Sequence, residues 1–194
     1  MKKDIVLAGV GGQGVLSVAA LIAAAARDDG LHVKQGEVHG MAQRGGAVQA
    51  NLRIADAPIH SDLIGKGSAE MILSMEPLES LRYLDYLSQD GTLVTSTDPV
   101  RNMDAYPDLD ELLAHIRTLP RALLIDTAGL AREAGLARAS NVVMVGAAST
   151  LLPIRPEVVE TWIRNGFAKK GERIVDANLK AFRLGREAGS CAAT

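Results

Sequence analysis

The amino-acid sequence predicts an α/β domain with three layers, in which helices cover both faces of a mainly parallel sheet. Short apolar runs at residues 5–8 and 70–74 are typical of strands that are buried on both faces. Apolar or amphipathic segments of helical length alternate with such strands, as in βαβ units. The hydrophobic content is 47% but the aromatic content only 3%, so we expect an aliphatic core.

The first strand runs into a turn that contains four glycines. Gly9, Gly11 and Gly14 have the G-x-G-x-x-G spacing, Gly12 and Gln13 lie between them, and an apolar helix follows at residues 15–26. A strand, a glycine turn and a helix N-terminus point several free N–H groups at one place, which is a candidate anion site. The alternative is that the glycines only allow a tight turn and close packing of helix and strand. Either way the arrangement predicts a Rossmann-like domain.

The remaining elements follow in order. A second strand is predicted at 31–38, a polar glycine-rich loop at 39–46, and a half-exposed strand at 47–54 because polar and apolar residues alternate there. Residues 59–64 are expected to pair back as a hairpin. Pro77 suits the first turn of a helix. Further expected elements are strands at 70–74, 91–96 and 122–125, a surface loop at 97–108, and helices at 109–119, 139–152 and from Pro156.

The last predicted helix covers residues 172–187, with Val175, Leu179 and Phe182 on one side. The C-terminal helices are additional to the sheet and could pack on one edge of it or reach a partner. We expect a single domain at residues 1–187 and a disordered tail at 188–194.

Charge and composition exclude several classes of function. The net charge of −2 argues against nucleic acid or an acidic membrane surface as a general partner. Cys191 is the single cysteine, and one thiol cannot form an internal disulfide, a Cys-rich zinc site or an iron–sulfur cluster. The apolar run 15–26 is too short to span a bilayer. The chain is therefore expected to be soluble and cytoplasmic.

The glycine turn can be compared with two known kinds of nucleotide-binding site, the P-loop and the dinucleotide site. A P-loop is rejected because Val15 and Leu16 stand where a lysine and a hydroxyl residue would hold phosphate and magnesium. The segment 126–129, Asp-Thr-Ala-Gly, imitates a GTPase sequence but is expected to be a strand end with a helix cap. A dinucleotide site stays open, since Glu37 lies 23 residues beyond Gly14, near the offset of a ribose-binding acid.

No catalytic set is apparent from spacing. The four histidines are scattered without metal-binding spacing, and no Ser-His-Asp set or carboxylate pair is apparent. We predict neither a catalytic residue nor a metal site in this chain. Arg44 lies in the polar loop beside Gly45 and could present a planar fork to a carboxylate or phosphate. A structural ion pair that ties down the loop is the equal alternative.

The motifs Gly-Val-Gly-Gly-Gln-Gly at 9–14 and His-Gly-Met-Ala-Gln-Arg-Gly-Gly at 39–46 resemble those of one family. The sequence is similar to the gamma-type domain of 2-oxoacid:ferredoxin oxidoreductases, and within that family to the free-standing small subunit of the indolepyruvate type, also called its beta subunit. The resemblance continues through segments 76–82, 141–147 and 178–185, and so covers nearly the whole chain.

The resemblance implies a subunit of an enzyme complex of anaerobic metabolism. The complex oxidatively decarboxylates arylpyruvates such as indolepyruvate, forms an acyl-CoA and reduces ferredoxin. A large partner subunit is implied to hold thiamine diphosphate, Mg and 4Fe–4S clusters and to contact ferredoxin, while CoA is a co-substrate. A gamma subunit for pyruvate, 2-oxoglutarate or a branched-chain 2-oxoacid is one alternative, and a stand-alone dinucleotide-binding module is another.

The resemblance also makes the two glycine-rich loops candidate site segments. The first loop would contact an anion such as a CoA phosphate, and the second would face the partner or its active site. The candidate contacts of the second loop are His39, Met41, Gln43, Arg44, Gly45 and Gly46. The loops follow the carboxyl ends of the first two strands, which we expect to be parallel neighbours as in a βαβ unit, so both loops should emerge at one edge of the sheet.

Overall fold

The computed structural model of the chain describes residues 1–39, 45–103 and 105–191. Its strands are β1 (Lys2–Val10), β2 (His32–His39), β3 (Ala47–Ala55), β4 (Ala69–Ser74), β5 (Leu87–Ser96) and β6 (Ala122–Ile125). Its α-helices are α1 (Val15–Asp28), α2 (Pro77–Arg82), α3 (Leu109–Arg117), α4 (Thr127–Glu133), α5 (Ser140–Ser149), α6 (Pro156–Phe167) and α7 (Glu172–Cys191). The alternation of strands and helices confirms the predicted α/β class.

The six strands form one sheet in the order β2-β3-β1-β4-β5-β6. The pairs β1–β4, β4–β5 and β5–β6 are parallel, whereas β3 is antiparallel to both β1 and β2. The sheet is therefore mainly parallel, as predicted. The antiparallel β3 lies between β1 and β2, so the expectation that these two strands are direct neighbours is wrong, although they do run in the same direction.

Alternate residues of β1 point into two different cores. Ile5 and Leu7 are buried with α1, α5 and α7 on one face, which we call face A. Val6 is buried on the opposite face, face B, in a smaller cluster with Leu113 and Ile116 of α3. A strand that is apolar on both sides forms because helices cover both faces of a parallel sheet.

Face A holds the larger cluster because α4, α5, α6 and α7 add to α1. The helix α5 is buried along nearly its whole length, and α7 packs directly against it through glycines. On α7, Val175, Leu179 and Phe182 are all buried, which confirms the apolar side expected for this helix. The helix continues to Cys191, so residues 188–191 do not form the disordered segment that we expected.

A buried ion pair fixes the connection between β3 and β4. The Arg53 guanidinium donates to both carboxylate oxygens of Asp4 at 2.9 Å, and it also donates to the carbonyls of Ser61 and Leu63 at 3.1 Å. These bonds hold the segment as an irregular loop, and the hairpin expected at residues 59–64 is absent from it. No helix in the described ranges has the length and apolar character needed to cross a membrane.

Candidate functional site

The chain crosses over opposite faces of the sheet after β1 and after β4. After β1 it crosses through α1 on face A, and after β4 it crosses through α2, whose Leu78 and Leu81 pack on face B. In open α/β sheets such a reversal opens a crevice outside the carboxyl ends of the two strands, where ligands collect. The glycine turn 9–14 lies at this edge, as the sequence predicts.

Gln13 closes the bottom of the crevice. Its side-chain oxygen accepts from the Val10 N–H at 2.8 Å, and its side-chain nitrogen donates to the Met75 carbonyl at 2.9 Å. A Cβ on Gly9 would lie 2.8 Å from Val15 Cγ2 and 2.9 Å from Gln13 Oε1, so close packing requires glycine there. Gly9 and the Gln13 side chain therefore shape the turn.

The glycines in the outer part of the turn leave the N-terminus of α1 without a side-chain cap. Gly12 and Gly14 have φ values of 106° and 83°, a region that favours glycine. Gly14 caps α1 without a side chain, and the first backbone bond of the helix is from the Val18 N–H to the Gly14 carbonyl at 2.9 Å. The first-turn N–H groups that precede Val18 thus lack helical acceptors, and the positive end of the helix dipole is exposed beside them.

The second glycine-rich segment lies directly against the first. The Gly11 N–H donates to the Gly46 carbonyl at 2.8 Å, and the Gly45 N–H approaches the Gly11 carbonyl at 3.4 Å. The expectation that both loops emerge at one edge agrees with this pairing. His39 ends β2 opposite Val48 of β3, while the predicted contacts Met41, Gln43 and Arg44 lie outside the described residues.

A third segment, which no sequence pattern indicated, lies at this edge. Residues 97–103 begin the connection from β5 to α3, and Asn102 Nδ2 donates to the Gly45 carbonyl at 2.5 Å. We call residues 9–14, 45–46 and 97–102 together the rim. Asn102 carried no signal in the sequence because a single amide in a polar loop has no periodicity or motif.

Two carboxylates, the buried Glu76 and the half-buried Asp98, anchor the connection behind Asn102. Glu76 is 1% exposed and accepts from the Glu79 N–H at 2.8 Å, from the Val100 N–H at 3.3 Å and from the Tyr106 hydroxyl. Burial, together with the hydrogen bond to Glu76, raises the pKa of the Tyr106 phenol well above its usual value. Tyr106 therefore stays a neutral hydrogen-bond donor at physiological pH.

Asp98 forms the second anchor. Its Oδ2 atom accepts from Thr127 Oγ1 at 2.6 Å, from the Ala128 N–H at 2.8 Å and from Ser96 Oγ at 3.0 Å. These partners lie at the end of β5 and the start of α4. The neighbouring Asp126 caps α4 by accepting from the Gly129 N–H at 2.8 Å, which confirms the strand-end and cap prediction for residues 126–129.

The topology argues against a dinucleotide at the glycine turn. In the dinucleotide fold the ribose-binding acid ends the strand next to β1. Here β3 separates β2 from β1, which places the Glu37 backbone about 10 Å from β1, two strand spacings away. Glu37 also accepts a hydrogen bond from Gln35 Nε2 at 2.9 Å. The turn and Glu37 are therefore not arranged as a dinucleotide pair.

The rim can bind an anion but has no evident groups for chemistry. It combines exposed helix N–H groups with positive-φ glycines, which suit a phosphate or carboxylate. Within the described residues, no group of three or more His, Cys, Asp or Glu side chains could hold a metal ion. The arrangement therefore suits the binding of an anion.

Comparisons with known proteins give the family. Residues 4–188 match the model of the pyruvate ferredoxin/flavodoxin oxidoreductase family. The chain therefore belongs to this family of oxidoreductases. Its similarity to curated proteins is to subunits of such enzymes, and it extends over most of their length.

The chain is 38% identical to the indolepyruvate oxidoreductase subunit IorB of Archaeoglobus fulgidus, over 95% of this chain and 94% of that protein. It is also 38% identical to the IorB subunit of Pyrococcus horikoshii, over 95% of both chains. The 2-oxoglutarate synthase subunit KorC of Methanothermobacter marburgensis is 30% identical over 96% of both.

Solved structures share the fold. The keto/oxoacid ferredoxin oxidoreductase gamma subunit of Geobacter sulfurreducens has a TM-score of 0.76 at 24% identity and covers 100% of this chain and 99% of its own. The 2-oxoglutarate:ferredoxin oxidoreductase of Magnetococcus marinus, solved with 2-oxoglutarate, coenzyme A and succinyl-CoA, has a TM-score of 0.79 at 23% identity. The match covers 98% of this chain but 31% of that one, so the fold also occurs inside a longer chain.

Proposed function

We propose that this chain is the small subunit of an indolepyruvate:ferredoxin oxidoreductase, with residues 1–187 as one gamma-type domain. The observation that supports the proposal is its higher identity to indolepyruvate oxidoreductase subunits than to 2-oxoglutarate synthase subunits, at equal coverage. The proposed complex is cytoplasmic and converts an arylpyruvate and CoA to an acyl-CoA and carbon dioxide, with two electrons passing to ferredoxin.

The redox centres belong to the partner in this proposal. Thiamine diphosphate with Mg supplies the decarboxylation chemistry, and 4Fe–4S clusters carry the electrons toward ferredoxin. A cluster normally requires four thiolates, whereas this chain contains one cysteine, and its described part offers no metal-binding group. The donor set of this chain therefore does not fit a cluster, which supports placing these groups in a large subunit.

The role proposed for this chain is to complete the complex at its rim. The first-turn N–H groups of α1 and the glycines around them suit the phosphates of CoA, a substrate carboxylate, or an acidic patch of the large subunit. His39, Met41, Gln43, Arg44, Gly45 and Gly46 are proposed to face the partner. That the Magnetococcus enzyme was solved with coenzyme A supports CoA as the first candidate.

Reconstitution tests the substrate class. We expect the purified chain alone to be colourless, free of stoichiometric iron and inactive, and the complex with its large subunit to oxidise arylpyruvates with a higher kcat/KM than pyruvate or 2-oxoglutarate. A preference for pyruvate, 2-oxoglutarate or a branched-chain 2-oxoacid would instead assign the chain to the alternative gamma subunits. Stoichiometric iron and sulfide in the isolated chain would overturn the proposed division of labour.

The rim is tested through Arg44. A charge-assisted contact is worth about 1.5–3 kcal/mol, so Arg44→Ala should weaken CoA binding or assembly about tenfold or more. The matched control is Arg117→Ala, which removes the same charge from an exposed site near the end of α3. If Arg44→Ala behaves like the control in assembly, KM for CoA and turnover, Arg44 only braces its own loop.

A further inference from the structure

We propose that Asn102 is a positioning residue that turns backbone carbonyls of the rim away from the anion. The inference rests on the function proposed above for the rim, and adds a residue from the β5–α3 connection to it. Asn102 is exposed and lies 57 residues from its acceptor, the Gly45 carbonyl, in the sequence. Neither glycine motif includes it.

The hydrogen bonds of the rim share one feature. The carbonyl of Gly46 accepts from the Gly11 N–H at 2.8 Å, and that of Gly11 faces the Gly45 N–H at 3.4 Å. The carbonyl of Gly45 accepts from Asn102 Nδ2 at 2.5 Å. Three carbonyl oxygens beside the N-terminus of α1 are thus engaged with donors. Their partial negative charges do not oppose an anion at the helix dipole.

Asn102 makes the shorter of the two hydrogen bonds at the Gly45 backbone. Gly45 has a φ of 75°, and a Cβ built on it would have no described atom within 4 Å. Packing by the described residues therefore does not fix the Gly45 backbone. The Gly45 N–H, which belongs to the preceding peptide group, forms a long hydrogen bond of 3.4 Å, so the bond from Asn102 to the carbonyl is the shorter of the two at this residue.

Asn102 can act in this way because its own backbone is held. The Asn102 N–H donates to the Val100 carbonyl at 2.9 Å, and the Val100 N–H donates to the buried Glu76 carboxylate. Asp98 fixes the start of the same connection against α4. The buried Glu76 and the half-buried Asp98 therefore hold the backbone that carries the Asn102 amide.

The experiment measures the KM for CoA of the reconstituted complex with Asn102→Ala and Asn102→Asp. Loss of one neutral hydrogen bond corresponds to a change of about fivefold, so Asn102→Ala should raise KM for CoA about fivefold. Asn102→Asp should raise it further, because it removes the donor and adds a negative charge. At saturating CoA, kcat should stay within about twofold. Met103→Ala is the matched control, an exposed neighbour in the same segment.

A second readout needs no ligand. In the full chain alone, the Gly11 amide should exchange with solvent faster in Asn102→Ala than in Met103→Ala, because the segment it bonds to is less constrained. Unchanged KM in both Asn102 variants, while Arg44→Ala raises KM, would overturn the positioning role and leave the proposed function standing. A fall in kcat without a change in KM would also overturn it. If Arg44→Ala and both Asn102 variants are silent, the proposed role of the rim itself is wrong.

Discussion

Glu76 is buried at the carboxyl end of β4, and each hydrogen bond to its carboxylate comes from an element that follows it. The Glu79 N–H belongs to α2, whereas the Val100 N–H and the Tyr106 hydroxyl belong to the β5–α3 connection. Burying a carboxylate is costly unless such donors replace its lost water. The residue therefore joins the start of a helix to a surface connection.

Tyr106→Phe tests this junction and its pH dependence. A hydrogen bond to a charged group contributes about 1.5–3 kcal/mol when buried, and partial exposure of the phenol reduces this to about 1 kcal/mol. The raised pKa of Tyr106 means that the folded state favours the neutral phenol. The stability that the folded state gains from the neutral Tyr106 phenol is complete below the unfolded-state pKa of about 10, and it is lost as the pH rises above that value.

Urea unfolding at pH 8 and above pH 10 measures both effects. We expect the wild type to be more stable than Tyr106→Phe at pH 8, and the difference to shrink in the alkaline range. Tyr86→Phe is the control, since the Tyr86 hydroxyl makes no hydrogen bond to the described residues. Equal free energies of unfolding for wild type and Tyr106→Phe at pH 8 would contradict the role given to this bond.

At the scale of elements, α5 and α7 pack with their backbones in contact. A Cβ on Gly185 would lie 2.0 Å from the Val143 carbonyl oxygen, and one on Gly146 would lie 2.1 Å from the Phe182 carbonyl oxygen. Gly189 approaches Ala147 in the same way. Glycine lowers helix propensity by about 1 kcal/mol at such sites, so close packing is what requires it.

Gly185→Ala should therefore destabilise the chain. The added methyl group would push the two helices apart. Overpacking of this kind costs about 1–3 kcal/mol, which is more than the gain in helix propensity. Chemical denaturation measures the change. Gly166→Ala in α6 is the control, because a Cβ there has no described atom within 4 Å and should leave stability equal or slightly higher. Similar free energies of unfolding for the two variants would show that α5 and α7 separate without cost.

At the scale of the whole molecule, the position of β3 separates this fold from the dinucleotide-binding arrangement. Titration calorimetry with NAD and NADP should show no saturable heat, because the Glu37 strand is not adjacent to β1. CoA titrated into the reconstituted complex is the positive comparison. A micromolar dissociation constant for NAD that Glu37→Ala abolishes would restore the dinucleotide-binding module.

Sequence patterns predicted where the strands and helices lie better than which strands lie next to one another in the sheet. The apolar runs of β1, β4 and β6 and the Pro77 start of α2 were located because burial and capping leave local signals. Alternation also located β3, but alternation shows which residues share a face and not which strand lies alongside. The rim was predicted in part: two loops carry glycine motifs, whereas Asn102 acts through a contact distant in sequence.

The burial of β1 by the last helix affects how the protein forms during synthesis. Ile5 and Phe182 lie 177 residues apart in the sequence, yet they are buried in one cluster. Until α7 has been made, α5 and the first strand expose apolar surface to solvent. Partly made chains with such surfaces associate readily. The nascent polypeptide is therefore prone to association until α7 has been synthesised.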